Sequence, residues 1–275
     1  VWRDLGVRFG AILLALIVMM GLFAPQLASI DPTEINPSNR NMTPGQIVSE
    51  RNDEGEKIER RVLMGTDTLG RDIYSRVVYG ARVSLVIGLS VAATSVASGL
   101  LIGLVAGYFR AVDAIVMRIM DGLMAIPAIL LAIALVSLAG ASLTTVIVAI
   151  AIPEIPRVVR LVRSIVLTIR EEPYVEAALS VGTPTPKILL RHILPNTVAP
   201  LIVQATFIAG SAILLEAILS FLGVGMSPET PTWGNIMAEA RQVFQLYPHG
   251  ILFPGIALAI TVLAINMLGD GLRDA

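Results

Sequence analysis

Long apolar stretches alternate with polar ones along this chain, and each apolar stretch is about the length that crosses a membrane as a helix. Six are recognisable, at residues 9–28, 83–109, 114–139, 142–163, 197–225 and 250–268. The pattern predicts an all-α polytopic membrane protein with about six transmembrane helices. A cleaved signal peptide is the alternative for the first stretch, but that stretch is too long and lacks a good cleavage site, so we favour a retained span.

Composition narrows the protein class further. Of 275 residues, 55% are hydrophobic and 15% charged, with a mean hydropathy of +0.78, whereas soluble domains carry about 25% charged residues. A soluble enzyme is therefore excluded. The net charge of −1 gives no basic field for nucleic acid, and the absence of cysteine excludes disulfides, thiolate catalysis and iron–sulfur clusters.

Three polar segments separate the apolar stretches, at residues 30–80, 157–196 and 226–249. If the N-terminus is cytoplasmic, 11 of the 20 Lys and Arg lie inside, and seven of the nine outside lie in the first polar segment, which also holds nine Asp and Glu and is long enough to cross with weak regard to charge. The positive-inside rule therefore favours cytoplasmic N- and C-termini. The inside basic residues would be Arg3, Arg8, Arg110, Arg118, Arg157, Arg160, Arg163, Arg170, Lys187, Arg191 and Arg273. The chain opens with Val1 rather than methionine, so we expect residues upstream of it.

Motifs for catalysis or metal binding are missing from the sequence. The two histidines, His192 and His249, form no HExxH pair, and neither Lys57 nor Lys187 ends a phosphate-binding glycine-rich loop. We therefore predict no catalytic residues, no metal site and no cofactor in this chain. The sequence lacks the nucleophile or the set of metal ligands that a membrane-embedded enzyme would need.

Three ionisable residues lie within the predicted spans, Asp121, Glu154 and Glu216. Carboxylates at membrane depth usually face a bundle interior or a water-filled cavity. Asp121 is expected to pair with Arg118, and Glu154, next to Pro153, with Arg157 at a wet helix end. Glu216 has no basic neighbour within two turns. It could line a cavity or translocation pathway, pack against another chain, or make a structural hydrogen bond.

Prolines and glycines also occur within the spans. Pro127, Pro153, Pro156, Pro200 and Pro254 would interrupt or kink helices, and Gly88, Gly99, Gly103 and Gly107 would let helices approach closely. These features suit a transporter, and they suit other polytopic bundles as well.

The segment EEPYVEAALSVGTPTPKILLRHILPN, residues 171–196, has a pattern of its own. A short amphipathic helix is predicted over residues 174–181. Gly182 ends it, and Pro184 and Pro186 prevent a simple continuation, so a second helix should lead through Pro195 into the fifth span. A cytoplasmic helix–turn–helix of this kind needs a partner to dock on, unless it merely lies on lipid headgroups.

This segment resembles the EAA loop of bacterial ABC importer permeases. Glu176, Ala177 and Ala178 are followed by Gly182 and later by Leu194 and Pro195 at the spacing of that motif, with His192 where isoleucine is usual. In that family the loop forms the coupling helix that seats in the ATPase subunit. The resemblance thus assigns ATPase coupling to Glu176, Ala177, Ala178 and Gly182.

Three further segments resemble the C-type permeases of the dipeptide and oligopeptide family. They are GTDTLGRDIYSRVVYGARVSL (65–85), SFLGVGMSPETPTWGNIMAEAR (220–241) and NMLGDGLRDA (266–275). Within the first, Asp67 with Arg71 and Asp72 with Arg76 are spaced for ion pairs on a short interfacial helix.

The resemblance implies a type I ABC importer permease fold. We expect a first span at 1–29, an extracytoplasmic loop with an interfacial helix at 30–82, and a permease core at 83–275 with its coupling loop at 164–196. The implied partners are a B-type permease, two cytoplasmic ATPases that bind ATP and Mg, and an extracytoplasmic solute-binding protein. The location would be a bacterial or archaeal cytoplasmic membrane.

The implied substrates are dipeptides or oligopeptides. Glutathione, nickel complexes and oligosaccharides are alternatives within the same transporter type. A secondary transporter is a more distant alternative, since we find no convincing internal repeat in the sequence.

Overall fold

The computed structural model describes residues 5–51 and 57–273, and this part of the chain is mostly helical. Its α-helices are α1 (Leu5–Leu22), α2 (Ala24–Leu27), α3 (Ile73–Tyr108), α4 (Arg110–Met124), α5 (Ala128–Ala139), α6 (Leu143–Arg170), α7 (Pro173–Ser180), α8 (Thr185–Ile188), α9 (Leu194–Phe221), α10 (Trp233–Ala240) and α11 (His249–Arg273). A π-helix, Leu189–Ile193, joins α8 to α9. Arg3, which enters the charge argument above, lies outside the described residues.

The predicted all-α class is confirmed, with one small addition in the polar segment before α3. That segment contains a 3₁₀ turn, Pro37–Asn39, and two antiparallel strands, β1 (Ile47–Arg51) and β2 (Lys57–Arg61), with Ile47 opposite Arg61. This segment is rich in asparagine, proline and charged residues and lacks the alternation of apolar and polar residues that would predict strands.

Each predicted span coincides with helix, but the count depends on the criterion. Four helical stretches in the described chain are long and apolar enough to cross a membrane: α1, α3, the run 185–221 that includes α9, and α11. The α4–α5 pair adds a fifth if it is one span. Helix α6 is not among them, because every stretch of 18 residues in it contains at least three charged side chains.

The third predicted span is broken rather than straight. α4 and α5 meet at a bend of 88°, and Pro127 stands immediately before α5. Pro153 and Pro156 lie inside α6, and Pro200 and Pro254 lie inside α9 and α11, without ending those helices. Only Pro127 among these prolines therefore marks a sharp break, as prolines commonly do.

Helices α3 and α6 make an unusually close contact. Gly99, Gly103 and Gly107 on α3 face three valines on α6, and a Cβ added at these glycines would lie 2.5 Å, 2.7 Å and 2.7 Å from the Cβ atoms of Val158, Val162 and Val166 respectively. Small residues four apart allow such an approach between membrane helices. The close packing predicted for these glycines is confirmed, and we call this contact the α3–α6 seam.

The start of α3 differs from the prediction. No separate interfacial helix precedes it in residues 57–72. Instead α3 begins at Ile73, so the predicted boundary at residue 82 falls inside a continuous helix. The structure confirms the Asp67–Arg71 ion pair, with 2.7 Å between Arg71 Nε and Asp67 Oδ2.

The second expected pair in this motif, Asp72 with Arg76, does not form. Asp72 caps the N-terminus of α3 and accepts a hydrogen bond from Ser75 N at 2.9 Å, which turns its carboxylate away from Arg76. The guanidinium of Arg76 reaches Asp67 instead, with 3.1 Å between Nη1 and Oδ2.

Two groups of buried apolar side chains hold the helices together. One joins α3, α5, α6 and α9 and extends to α7 and α8, and the other joins α1, α3, α9, α10 and α11 around Trp233. The Trp233 indole is fully buried, and its Nε1 donates to the carbonyl of Val77 at 3.0 Å. α3 and α9 belong to both groups and are therefore the two central helices of the packing.

Candidate functional site

The helix–turn–helix predicted from the sequence is present, and we call residues 171–193 the α7 segment. It consists of α7, a turn at Gly182, α8 and the π-helix that leads into α9. Pro173 stands at the start of α7, where its missing N–H costs no hydrogen bond. The predicted short helix and the second helix leading to Pro195 are therefore confirmed.

The turn after α7 is a Schellman motif. Thr183 N donates to the carbonyl of Ala178 at 3.0 Å, and Gly182 N donates to the carbonyl of Leu179 at 2.9 Å. This geometry places Gly182 at a φ of +76°, the left-handed region that glycine adopts without strain. A Cβ added at Gly182 would meet no atom within 4 Å, so its backbone conformation alone requires glycine here.

The α7 segment is attached to the bundle by few side chains. Val175 is the buried residue of α7, and it belongs to the same apolar group as Val166 of α6 and Ile188 and Ile193 further along the segment. Glu176 and Ala177 are exposed, Ala178 is half-buried, and Val181 is 82% exposed. A helix anchored on one side with exposed apolar and acidic groups on the other suits docking against another protein.

Three successive arginines on α6 differ in their partners. Arg163 forms a two-pronged ion pair with Asp113 of α4, with 2.6 Å between Nη2 and Oδ2. Arg160 Nη2 donates to Asp121 Oδ1 at 2.6 Å. The expected pairing of Asp121 with Arg118 is therefore wrong, because α4 lies alongside α6 and brings Asp121 within reach of Arg160.

Arg157 pairs within its own helix, as predicted. Its Nη1 lies 3.3 Å and 3.2 Å from the two carboxylate oxygens of Glu154. The Glu154 side chain is 6% exposed and that of Arg157 is 54% exposed. Both residues lie near the middle of a 28-residue helix, rather than at the helix end proposed from the sequence.

This ion pair lines a cavity of about 290 Å³ between α6, α9 and α11. The other polar residues of its wall are Gln204, Ser211 and Asn266. A second cavity of about 470 Å³ shares Gln204 and Phe207 with the first and extends to Leu161 and Arg273. The two cavities adjoin along one side of the bundle and form a groove with a charged, polar centre.

Glu216 lies elsewhere on α9 and is fully buried. Its Oε1 accepts a hydrogen bond from Ser220 Oγ at 2.7 Å. It is not part of the cavity wall that contains Glu154 and Arg157. The geometry agrees with a structural hydrogen bond, and a role in translocation stays a prediction.

A charged cluster ties the start of α3 to α10. Glu239 of α10 accepts from the guanidinium of Arg71, and its Oε2 lies 3.5 Å from Arg76 Nη2. Burial raises the pKa of Glu239, and the adjacent charges of Arg76 and Arg71 oppose that shift. The cluster links the motifs at 65–85 and 220–241, which are distant in sequence.

Metal ligands do not gather anywhere in residues 5–51 and 57–273. No group of three or more His, Asp or Glu side chains in this part of the chain could hold a metal ion.

Comparison with known proteins now identifies the chain. Residues 99–275, more than half of the sequence, match the family described as binding-protein-dependent transport system inner membrane component. The chain belongs to this family. It is a membrane component of a transport system, and components of this type in ABC importers are generally non-catalytic.

The permease has relatives that match nearly its whole length. It is 50% identical over 98% of its length to the probable peptide ABC transporter permease protein y4tQ of Sinorhizobium fredii, covering 87% of that protein. It is 43% identical over 97% of its length to the dipeptide transport system permease protein DppC of Alkalihalophilus pseudofirmus, covering 83% of that protein.

A solved structure shares the fold of the permease. The MetNI methionine ABC transporter in its inward-facing conformation matches with a TM-score of 0.56 and 20% identity, covering 72% of this chain and 95% of that one. This confirms the predicted ABC importer permease fold.

Sequence reasoning missed several polar residues that the permease brings together. Gln204 and Ser211 are isolated polar residues in the apolar run of α9, and their separation of seven positions places them on one face of the helix. That spacing could have predicted that one face of α9 contributes polar side chains to a cavity. Asn266 on α11 and Glu239 on α10 had no such signal, because their partners come from distant segments.

Proposed function

We propose that this permease is the transmembrane subunit of an ATP-driven importer for dipeptides or oligopeptides. The observation that carries the proposal is the 50% identity, over nearly the whole chain, to a relative named as a probable peptide ABC transporter permease. The dipeptide permease relative supports it with 43% identity. This chain forms part of the translocation pathway, while partner subunits hydrolyse ATP and deliver the substrate.

The proposed complex contains a homologous B-type permease, two cytoplasmic ATPases that bind ATP and Mg, and an extracytoplasmic solute-binding protein. Hydrolysis belongs to the ATPases, and this chain holds no cofactor of its own. Apolar side chains remain exposed on the long helices, for example Leu89 and Leu101 on α3 and Ile202 on α9. Lipid and the sister permease would cover these surfaces.

Coupling to the ATPases is assigned to Glu176, Ala177, Ala178 and Gly182. These residues lie on or directly after α7, whose outer side is exposed. Val175 ties α7 to the bundle, and the π-helix continues without a break into α9. A displacement of α7 by an ATPase would therefore pass to α6 through Val175 and to α9 along the chain, as alternating access requires.

The proposed orientation has both termini in the cytoplasm of a bacterial or archaeal cell, with residues 30–82 outside and the coupling loop at 164–196 inside. The excess of Lys and Arg in the segments assigned to the inside supports it. Residues 83–275 form the proposed permease core, which the family match covers from residue 99 onward.

Two measurements test the proposal. Purification of a tagged chain in mild detergent should carry the ATPases with it, because α7 is proposed to seat in them. Glu176→Lys should loosen them, since it reverses an exposed charge on α7. A chain that is purified alone and transports by itself would exclude the proposal in favour of a secondary transporter.

A ligand-affinity screen of the cognate binding protein tests the substrate class. Tight binding of dipeptides or longer peptides is expected. Binding of nickel complexes or oligosaccharides with no affinity for peptides would contradict the peptide assignment while leaving the transporter class in place.

Glutathione is a second candidate substrate. The chain is 46% identical over 77% of its length to the glutathione transport system permease protein GsiD of Escherichia coli, covering 70% of that protein. Glutathione is itself a small peptide with free carboxylates. The same screen separates it from ordinary dipeptides.

A further inference from the structure

Arg157 differs from the other arginines of α6 in having no partner on another helix among the described residues. Arg163 and Arg160 are both bound to aspartates of α4. Arg157 uses only Nη1, which shares the two oxygens of Glu154 at 3.3 Å and 3.2 Å. Its Nε and Nη2 make no hydrogen bond within residues 5–51 and 57–273. A guanidinium has five N–H donors in a planar fork, so most of its binding capacity is unused.

The position of Arg157 makes this unused capacity significant. The side chain is 54% exposed although it lies near the middle of α6, within the stretch 142–163 that the sequence predicts as a span. A charged group in a span faces a water-filled cavity or another protein group, because contact with lipid is costly. Here it faces the 290 Å³ cavity between α6, α9 and α11.

Glu154 holds the guanidinium in place. The carboxylate is 6% exposed, so its orientation is fixed by packing, and its two oxygens both face Arg157 Nη1. The other edge of the guanidinium, with Nε and Nη2, makes no hydrogen bond to Glu154. Gln204, Ser211 and Asn266, on the same cavity wall, can donate to and accept from peptide amide groups.

We propose that this cavity is a substrate subsite in which Arg157 binds the terminal carboxylate of a passing peptide, with Glu154 as the positioning residue. The proposal rests on the peptide transport function proposed above. A bidentate contact between a guanidinium and a carboxylate is the strongest form of such recognition, and the polar wall residues would bind the adjacent peptide group. The Glu154 charge balances Arg157 in the empty cavity, so no uncompensated charge is buried between transport cycles.

The test measures occupancy of the cavity directly. The chain contains no cysteine, so Ser211→Cys provides a single thiol on the cavity wall of this subunit. The assembled complex in lipid nanodiscs, without binding protein or ATP, is treated with a small thiol reagent, and labelling of this chain is followed by mass. The probes are the dipeptide Ala-Ala and its C-terminal amide, which lacks the carboxylate charge.

Ala-Ala is expected to slow the labelling at a concentration about tenfold lower than the amide, which is the effect of one charge-assisted pair. Arg157→Gln should abolish this difference, and Arg157→Lys should keep part of it, because an ammonium group retains the charge without the fork. Arg160→Gln is the matched control, since it breaks an ion pair on the same helix outside the cavity wall, and should leave the difference intact. Glu154→Gln, which keeps an acceptor for Arg157, should preserve more of the difference than Glu154→Leu.

Several results would overturn the proposal. One is equal protection by the two peptides in the unaltered complex, and another is an equal loss of protection by both in Arg157→Gln, which would indicate a structural role. If Arg157→Gln fails to assemble, Arg157→Lys decides, because an unchanged preference in that variant contradicts a fork-shaped contact.

The proposed function is checked separately. Proteoliposomes containing the unaltered complex and the binding protein should take up Ala-Ala. If they do so while neither peptide protects the thiol at position 211, the subsite is wrong and the transport function stands. If no peptide is taken up, the proposed transport function is wrong, and the proposed subsite is then wrong as well.

Discussion

Glycines hold essential positions in two regions of the permease, the α3–α6 seam and the α7 segment. At the seam, Gly99, Gly103 and Gly107 lie in a regular helix, and the space that a side chain would need is filled by valines of α6. At Gly182 the surrounding space is empty, and the left-handed backbone is what requires glycine. The seam thus depends on close packing inside the bundle, whereas the α7 segment depends on the shape of an exposed turn.

This difference predicts opposite responses to substitution. A side chain at the seam should disturb the whole bundle, because α3 and α6 must separate to admit it. A side chain at Gly182 should alter only the direction of the chain after α7. The first kind of change should lower stability, and the second should lower coupling with stability preserved.

The largest effect is expected for Gly103→Ala. The added methyl group would lie 2.7 Å from Val162 Cβ and 3.0 Å from the carbonyl oxygen of Val159. Overpacking of this kind costs about 1–3 kcal/mol. Thermal unfolding of the purified permease complex should show the loss.

Gly122→Ala is the matched control for the seam, because Gly122 also lies in a helix but has no atom within 4 Å of an added Cβ. It should be neutral or slightly stabilising, as alanine favours helix more than glycine does. Val162→Ala should partly rescue Gly103→Ala by making room for it. Equal stability of Gly103→Ala and Gly122→Ala would show that the close approach of α3 and α6 does not exist.

The next effect, in order of size, is expected for Gly182→Val. A β-branched residue at a φ of +76° costs on the order of 1 kcal/mol or more in backbone strain, so the turn should change shape. Membrane levels and thermal stability should be normal, but ATPase association should be lost or loosened and uptake abolished. Co-purification and uptake in proteoliposomes measure these two outcomes.

Gly182→Asn is the control for this turn, since asparagine tolerates the left-handed region better than valine. Gly182→Asn should retain more transport activity than Gly182→Val. Normal uptake by Gly182→Val with the ATPases firmly attached would remove the support for coupling through this turn.

A smaller effect on transport is expected at Glu216, which is as buried as the seam but depends on polarity rather than shape. Glu216→Gln keeps an acceptor for Ser220, whereas Glu216→Leu leaves the hydroxyl of Ser220 without this partner. Leu should lower stability by about 1–2 kcal/mol and Gln by less. Equal assembly and uptake for all three residues would make the hydrogen bond irrelevant.

The smallest effect on function is expected from two single cysteines that locate the α7 segment relative to the first polar loop. Ser38 and Ser180 are both exposed, so Ser38→Cys and Ser180→Cys should leave transport unchanged. An impermeant thiol reagent applied to whole cells should label position 38 and leave position 180 protected. The reverse pattern would overturn the proposed orientation of both regions.

The sequence predicted the α7 segment in detail because the determinants of that segment are local. Pro173, Gly182 and the Pro184–Pro186 pair each restrict the backbone where they stand, and the structure follows them. The valines that oppose the seam glycines could not be named, because the register between two helices depends on their packing. An interruption at Pro127 was predicted, but the sequence could not single it out from the prolines that α6, α9 and α11 accommodate, nor give the 88° angle between α4 and α5.

The cavity was only partly predictable. Glu154 and its pairing with Arg157 follow from charges three positions apart on a helix. Their joint position on a cavity wall with Gln204 and Asn266 depends on how α9 and α11 pack against α6. The partner of Asp121 could not be predicted either, because it is Arg160 on the neighbouring helix α6 rather than a residue of α4.

The length of α3 has a geometric consequence. Its 36 residues give a rod of about 54 Å, whereas the hydrocarbon core of a bilayer is about 30 Å thick. Even at a tilt of about 40°, the rod would extend about 41 Å along the membrane normal. At least one end of α3 must therefore leave the hydrocarbon core and reach the headgroup region or the water beyond it. Because the rod is unbroken from Ile73 to the seam, it can act as a lever that links any change in its tilt to movement of the charged cluster around Arg76.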